Sequence, residues 1–249
     1  MTAAPPRIIR VNTAFSRTPS PSGELCAERV PLARIAEEVG SPVYVYSASA
    51  IEQHFDALDR AFDSVPHTIC YAIKANMNLA LVRLLVARGA GIDVTSGGEL
   101  FRALRAGADA QQIVYSGVGK TDAEIDAALG AGIQMFNVES RAELRRIDAR
   151  AGELGKIAPI AFRVNPDVDP KTHPYIATGL TRNKFGIAFP QALEVYRQAR
   201  RLPNIELAGI DFHIGSQITD TQPYADAVER LVTMVNTLQA EGIELSHLD

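Results

Sequence analysis

Lysine is scarce in this sequence, and one lysine stands where its amine could do chemistry. The chain has five lysines and twenty arginines among its 25 basic residues. Lys74 follows an apolar run at residues 70–73. A lysine in apolar surroundings has a lowered pKa, so its neutral amine can attack a carbonyl and form a Schiff base. Position alone does not separate this role from that of a surface lysine, or of one paired with Asp93.

Other polar side chains occur in or just after apolar runs of the same kind. Asp93 lies in the run 92–95, Arg163 in the run 160–164, and His213 in the run 207–214, with Ser216 shortly after. A histidine at a strand end can stack on a flat ring or exchange a proton. A Gly-Ser pair can offer N–H groups and a hydroxyl to a phosphate. A core histidine and an ordinary turn would give the same local pattern.

The elements that position these residues alternate along the chain. Apolar runs at residues 69–73, 92–95, 113–115, 135–138, 160–164 and 207–214 predict six strands, and the first four start about 22 residues apart. That spacing is typical of β-loop-α units in a parallel sheet. It favours a (β/α)8 TIM barrel over a doubly wound sheet, and no GxGxxG motif follows the first run. Because the strands of such a barrel end at one rim, the polar residues are expected to share an active site there.

Local signals predict where the helices begin and end. Ser49, Thr121 and Ser140 each precede Glu by three residues, which is typical of a capping box. Gly89 and Gly107 are predicted C-terminal caps, and Pro223 a first-turn residue. Near the N-terminus, the alternating segment PVYVYS (42–47) and a short run at 8–11 predict strands. The predicted domains are a leader with a β segment at 1–45 and a partial barrel at 46–249.

Composition and charge exclude several classes of protein. The net charge of −4 offers no basic surface for nucleic acid or for anionic membranes. No apolar run approaches the roughly 18 residues of a membrane span, and residues 1–10 lack the core of a signal peptide. Two separated cysteines fit a reducing cytoplasm. The GKT at 119–121 fails as a P-loop because Val114 stands where glycine is needed, and the histidine spacing predicts no metal site.

Several segments together resemble a known group of enzymes. YAIKAN (71–76), GIDVTSGGEL (91–100) and HIGSQI (213–218) resemble motifs of the alanine racemase-like barrel decarboxylases that depend on pyridoxal phosphate, PLP. Within that group, RVNP (163–166), HPYIATG (173–179) and NKFG (183–186) resemble the diaminopimelate decarboxylases. The resemblance runs from about residue 28 to residue 249, with the motifs in the family's order.

The resemblance implies a reaction and roles for matching residues. Lys74 would hold PLP through its amine, His213 would stack on the pyridine ring, and Ser216 would contact the phosphate. The activity implied is decarboxylation of meso-2,6-diaminopimelate to L-lysine and carbon dioxide, the last step of lysine biosynthesis. A homodimer with shared active sites is also implied. The residues implied to line the site around Lys74 and His213 are Asp93, Glu99 and Arg163.

The strand pattern leads us to expect only part of the family's barrel, about six strands plus the start of a seventh. The family's Gly-Gly-Gly loop, its Glu-Pro-Gly-Arg stretch and its C-terminal β domain do not occur in the 249 residues. We therefore expect a fragment that is inactive and poorly folded alone, with the N-terminal β segment belonging to a second, mostly missing β domain.

Three alternatives stay open at this stage. A related decarboxylase for ornithine, arginine or lysine is one, and the long polar connection at 165–189 argues against it. A non-catalytic PLP-binding barrel is another, but it should close eight strands within the chain. The third is a barrel without PLP, in which Lys74 is structural.

Overall fold

A parallel β-sheet with a helix after most of its strands forms the body of the molecule. The computed structural model describes residues 14–17, 23–168, 185–216 and 218–249. Before the parallel sheet, β1 (Phe15–Arg17), β2 (Leu25–Ala27) and β3 (Val30–Pro31) form a small antiparallel sheet in that order. Two helices follow, α1 (Leu32–Val39) and α2 (Ala48–Ala61).

Seven parallel strands then follow one another across the large sheet. The spatial order is β11-β10-β8-β7-β6-β5-β4, and β9 pairs with the end of β8. The strands are β4 (Cys70–Ala72), β5 (Gly91–Val94), β6 (Ile113–Tyr115), β7 (Met135–Val138), β8 (Ala158–Asn165), β9 (Ile187–Ala188), β10 (Ile205–Asp211) and β11 (His247–Leu248). The helices between them are α3 (Leu79–Val86), α4 (Gly97–Ala106), α5 (Asp122–Ala131), α6 (Arg141–Glu153), α7 (Phe189–Ala199) and α8 (Gln222–Ala240).

This architecture confirms the predicted fold class. All six predicted strands are present, and their observed bounds differ from the predicted ones by at most three residues. β11 is the start of a seventh strand. The sheet is covered by helices because its strands are apolar on both faces, as parallel strands usually are. The main core contains fully buried side chains from strands and helices alike, including Ile92, Phe136, Phe162, Ile147 and Val195.

The predicted strand at residues 42–47 is wrong. These residues form neither strand nor helix and pair with no other strand, and Tyr44 and Tyr46 are 89% and 53% exposed. β-branched and aromatic residues favour a strand only when a neighbouring strand and a packed face are available. The predicted N-terminal β segment is instead the small sheet β1–β3. The run at 8–11 lies outside the described residues, and the domain boundary at residue 45 stays a prediction.

The predicted helix caps have mixed outcomes. Thr121 forms the reciprocal capping box with Glu124. Ser140 caps α6, but the Glu143 carboxylate bonds to the Glu139 N–H. The box predicted at Ser49 is wrong, because α2 begins earlier. Ser47 caps that helix, and the Glu28 carboxylate accepts hydrogen bonds from both the Ser47 hydroxyl and the Ser49 N–H.

The capping box of α5 gives a stability prediction. Thr121→Ala removes the oxygen that accepts from the Glu124 N–H, so the free energy of unfolding should fall by about 1 kcal/mol. Urea unfolding of the protein expressed from its whole gene would measure this. Thr237→Ala, on the exposed face of α8, is the control and should change the value by less than about 0.5 kcal/mol. Equal effects at both positions would contradict the capping role.

Candidate active site

A cavity of about 170 Å³ lies where the parallel strands end, and it collects most of the predicted site residues. Lys74, Asp93, Arg163 and His213 line it together. Each comes from a different strand or from the turn after it, as expected for the rim of a barrel. Other side chains that line the cavity are Cys70, Ser116, Asn137, Asp211, Phe212 and Asp249.

Lys74 is presented by a short turn after the first parallel strand. Residues Ile73–Ala75 form one turn of 3₁₀ helix, in which Ile73 is fully buried and anchors the turn. The Tyr71 hydroxyl donates to the Asn76 carbonyl oxygen at 3.1 Å and closes the segment from the other side. Lys74 itself is exposed in the described residues. The sequence left a desolvated amine and a surface lysine equally open, and in the structure the side chain is exposed on the turn that follows the strand.

Asp93 is held by a hydrogen-bonded chain that crosses three strands. The Ser116 hydroxyl donates to Asp93 Oδ1 at 2.6 Å. Asn137 Nδ2 donates to Ser116 Oγ at 3.1 Å and to Asp249 Oδ2 at 2.8 Å. Burial raises the pKa of Asp93, while the Ser116 hydrogen bond and the charge of Lys74 act in the opposite direction. The chain therefore fixes the carboxyl group beside Lys74.

Arg163 is oriented by a carboxylate from the neighbouring strand. One Arg163 Nη lies 3.2 Å from Glu139 Oε1, in a pair whose side chains are 14% and 3% exposed. The guanidinium also lies over the Phe185 ring, 5.7 Å from its centre. Moving the guanidinium away from Glu139 would leave a buried charge without its partner, which is costly. The ion pair therefore keeps Arg163 at the cavity wall.

His213 follows the sixth parallel strand and carries no charge at neutral pH. Burial lowers its pKa to about 4, and the positive charges of Arg163 and Lys74 act in the same direction. An uncharged imidazole offers a flat face and one N–H donor. Because the folded pKa lies below the ordinary value, the unfolded chain binds this proton first, and stability falls as the pH drops from about 6.5 toward about 4.

Two residues implied by the resemblance lie apart from the cavity lining. Ser216 is exposed, three residues after His213. Glu99 is buried in the first turn of α4, and its Oε2 accepts hydrogen bonds from the Thr95 N–H at 2.6 Å and the Thr95 hydroxyl at 2.9 Å. Glu99 therefore shapes the turn after β5. The neighbouring Gln217, and residues 169–184 with the motifs quoted for them, lie outside the described residues.

Sequence reasoning did not assign Asp211 or Cys70 to the site. Asp211 pairs in register with Arg163 across β10 and β8 and is buried. Burial and the charge of Asp249 raise its pKa well above the ordinary value. Burial also raises the pKa of the Cys70 thiol to about 12, helped by the charges of Asp249 and Asp93. A signal for both was available in the sequence, since Cys70 lies four residues before Lys74 and Asp211 two residues before His213.

The described part of the chain contains neither a metal-binding cluster nor a membrane-spanning helix. No group of three or more His, Cys, Asp or Glu side chains there is arranged to hold a metal ion. Among the same residues, no helix combines the length and the apolar character needed to cross a membrane.

The electrostatic link between Arg163 and His213 gives a prediction. Arg163→Gln removes a positive charge that lowers the pKa of His213, so this pKa should rise from about 4. It should stay below the ordinary 6.5, because burial is the larger cause. Titration of the His213 imidazole by NMR would measure it. Arg146→Gln, in a surface ion pair with Asp122, is the control. An unchanged His213 pKa in Arg163→Gln would contradict the link.

Comparison with known proteins shows which family this chain resembles. The family model described as pyridoxal-dependent decarboxylase, pyridoxal binding domain, matches residues 48–249. The chain is 54% identical over 227 residues to a diaminopimelate decarboxylase of Vibrio cholerae, covering 91% of this chain and 54% of that protein. It therefore spans about half the length of the curated relative it matches.

Solved structures give the same result. Diaminopimelate decarboxylase from Helicobacter pylori, complexed with L-lysine, superposes with a TM-score of 0.85 at 41% identity, over 88% of this chain and 55% of that one. The enzyme from M. jannaschii, in co-complex with L-lysine, gives 0.87 at 36% identity, over 96% and 56%. With most of its length matched by the family model, this chain belongs to the pyridoxal-dependent decarboxylases, and residues 48–249 correspond to their pyridoxal binding domain.

Proposed function

We propose that the protein containing this chain decarboxylates meso-2,6-diaminopimelate to L-lysine and carbon dioxide with the help of PLP. The observation that carries the proposal is the cavity in which an amine, a guanidinium and an uncharged imidazole meet. The identity of 54% to a curated diaminopimelate decarboxylase supports the choice of substrate over ornithine, arginine or lysine.

The side chains of the cavity and of the segment just after His213 fit PLP. The cofactor has an aldehyde, a flat aromatic ring and a phosphate, and the described residues supply chemistry for each. Lys74 has the primary amine that would form a Schiff base with the aldehyde. The neutral His213 ring can lie against the flat face of the aromatic ring. We assign Lys74 to hold the cofactor, His213 to its ring and Ser216 to its phosphate. The remaining cofactor-binding residues in this proposal are Asp93 and Arg163.

The side chains of this chain bind and orient the substrate. When bound, PLP supplies an electron sink for the electron pair left by the departing carboxylate. Arg163 places a positive charge at the cavity wall, and this charge attracts a substrate carboxylate. The ion pair with Glu139 keeps the Arg163 guanidinium in that position. Asp93, fixed by Ser116, keeps a carboxyl group close to Lys74. Burial raises the pKa of Asp211 well above its ordinary value, so this carboxyl group keeps its proton to a higher pH than an exposed aspartate does.

The assembly and location follow from the same proposal. We assign the complete protein as a cytoplasmic homodimer with shared active sites, acting on a small amino-acid substrate. Cys26 and Cys70 are both free thiols, which supports a reducing compartment.

Substrate turnover tests the proposed reaction directly. The protein expressed from its whole gene and supplied with PLP should release carbon dioxide from meso-diaminopimelate and produce L-lysine. Ornithine, arginine and lysine are the competing substrates, each measured as kcat/KM. A higher kcat/KM for any of these three would contradict the proposed substrate, and no turnover of all four would contradict the activity.

Covalent trapping tests the role of Lys74. Borohydride reduction of the PLP-loaded protein, followed by peptide mass spectrometry, should place the label on Lys74. Lys156 is the matched control, since its ammonium group is 2.5 Å from the Leu129 carbonyl oxygen, away from the cavity residues. Lys74→Ala should take no label. A label on another lysine in the unmodified protein would overturn the assignment.

A further inference from the structure

Lys120, the lysine of the rejected P-loop pattern, is buried next to residues of the candidate site. Its side chain is 1% exposed. The ammonium group donates to the Gly117 carbonyl at 2.7 Å, to the Asn137 carbonyl at 2.8 Å and to Glu143 Oε1 at 2.7 Å. A lysine ammonium has three N–H donors, so all of them are used. The proposed function gives this residue no part.

The three acceptors of Lys120 belong to three separate segments. Gly117 follows β6, Asn137 lies in β7, and Glu143 lies in the first turn of α6. A single ammonium group therefore fixes the ends of two neighbouring strands and the start of a helix relative to one another. Replacing such a buried ion pair with apolar residues often costs no stability, so stability alone does not explain its presence.

One path leads from Lys120 to Asp93. Lys120 bonds to the backbone of Asn137 and of Gly117, the residue after Ser116. The Asn137 side chain donates to Ser116 Oγ at 3.1 Å, and Ser116 donates to Asp93 at 2.6 Å. The position of the Asp93 carboxyl group thus depends on two backbone segments that Lys120 joins.

A second path leads to Arg163. Lys120 holds one oxygen of Glu143, and the other oxygen accepts from the Glu139 N–H at 2.8 Å. The Glu139 side chain is the ion-pair partner of Arg163. Both paths end on side chains that line the cavity.

We propose that Lys120 is a positioning residue, which holds Ser116 and Asn137 against Asp93, and Glu139 against Arg163, in the arrangement that binds PLP. The inference rests on the proposed function for the identity of the ligand, whereas the contacts of Lys120 do not. Lys120 touches neither cofactor nor substrate and acts only through these residues.

The first test is the dissociation constant of PLP for the cofactor-free full-length protein. Lys120→Met keeps the length of the side chain and removes the ammonium group, and it should raise this constant by about tenfold, a coupling usual for residues in one network. Val195→Ala, in the buried face of α7, is the control for lost stability and should leave the constant unchanged. An unchanged constant in Lys120→Met, or an equal rise in Val195→Ala, would overturn the proposal.

A double-mutant cycle separates positioning from general structural support. Ser116→Ala should raise the PLP dissociation constant by about threefold, and the double variant with Lys120→Met should bind no more weakly than Lys120→Met alone. This follows because both changes break the same path to Asp93. Independent effects would multiply to about thirtyfold, and that result would contradict the path.

A second variant guards against misfolding of Lys120→Met, which leaves Glu143 without its partner. The pair Lys120→Met with Glu143→Gln removes both charges and keeps an oxygen for the Glu139 N–H. It should fold and still bind PLP about tenfold more weakly. Normal binding by this folded variant would refute the proposal.

Failure of the proposed function is distinguished by measuring the unmodified protein first. If it binds no PLP, the cofactor assignment fails, and Lys120 is then tested by NMR titration of the Asp93 carboxyl group. The Ser116 hydrogen bond lowers the pKa of Asp93, so losing it in Lys120→Met should raise that pKa. An unchanged Asp93 pKa would show that Lys120 does not position Ser116.

Discussion

Parallel pairing of the strands is the constraint on which the rest of the structure depends. Strands that run the same way deliver their carboxyl ends to one side of the sheet, so residues far apart in sequence come level with one another. Asp93 pairs with Ala72 and Val114, and Asp211 pairs with Arg163. The cavity is the direct product of this register, since its lining comes from all seven parallel strands and the residues just after them.

Register alone brings the side chains together, and polar contacts in and next to the cavity wall set their orientation. Ser116 and Asn137 fix Asp93, and Glu139 fixes Arg163. Such groups are costly to bury unless their hydrogen bonds are satisfied. The charged residues of the cavity are therefore held by neighbours on adjacent strands, where the spacing between strands is fixed by the ladder. Side chains on independent loops would lack that fixed spacing.

Strand positions could be predicted from the sequence because each parallel strand is a continuous apolar run between turn signals. Residues 42–47 show the same local preference, but no strand pairs with them, and that information lies elsewhere in the fold. Four of the five predicted site residues, chosen for their place at strand ends, line one cavity. The exposure of Lys74 and the burial of Asp211 could not be predicted, because both depend on how the chain turns after the strand and on which neighbours pack against it.

Cys70 bears on selectivity among nucleophiles in the cavity. A thiolate adds to aldehydes and is oxidised more readily than a thiol, and Cys70 lines the same space as Lys74. With its pKa raised to about 12, Cys70 remains a thiol at every physiological pH. An aldehyde entering this space therefore meets an amine without competition from this sulfur. The burial of the thiol, helped by the charges of Asp249 and Asp93, thus suppresses a side reaction at the site.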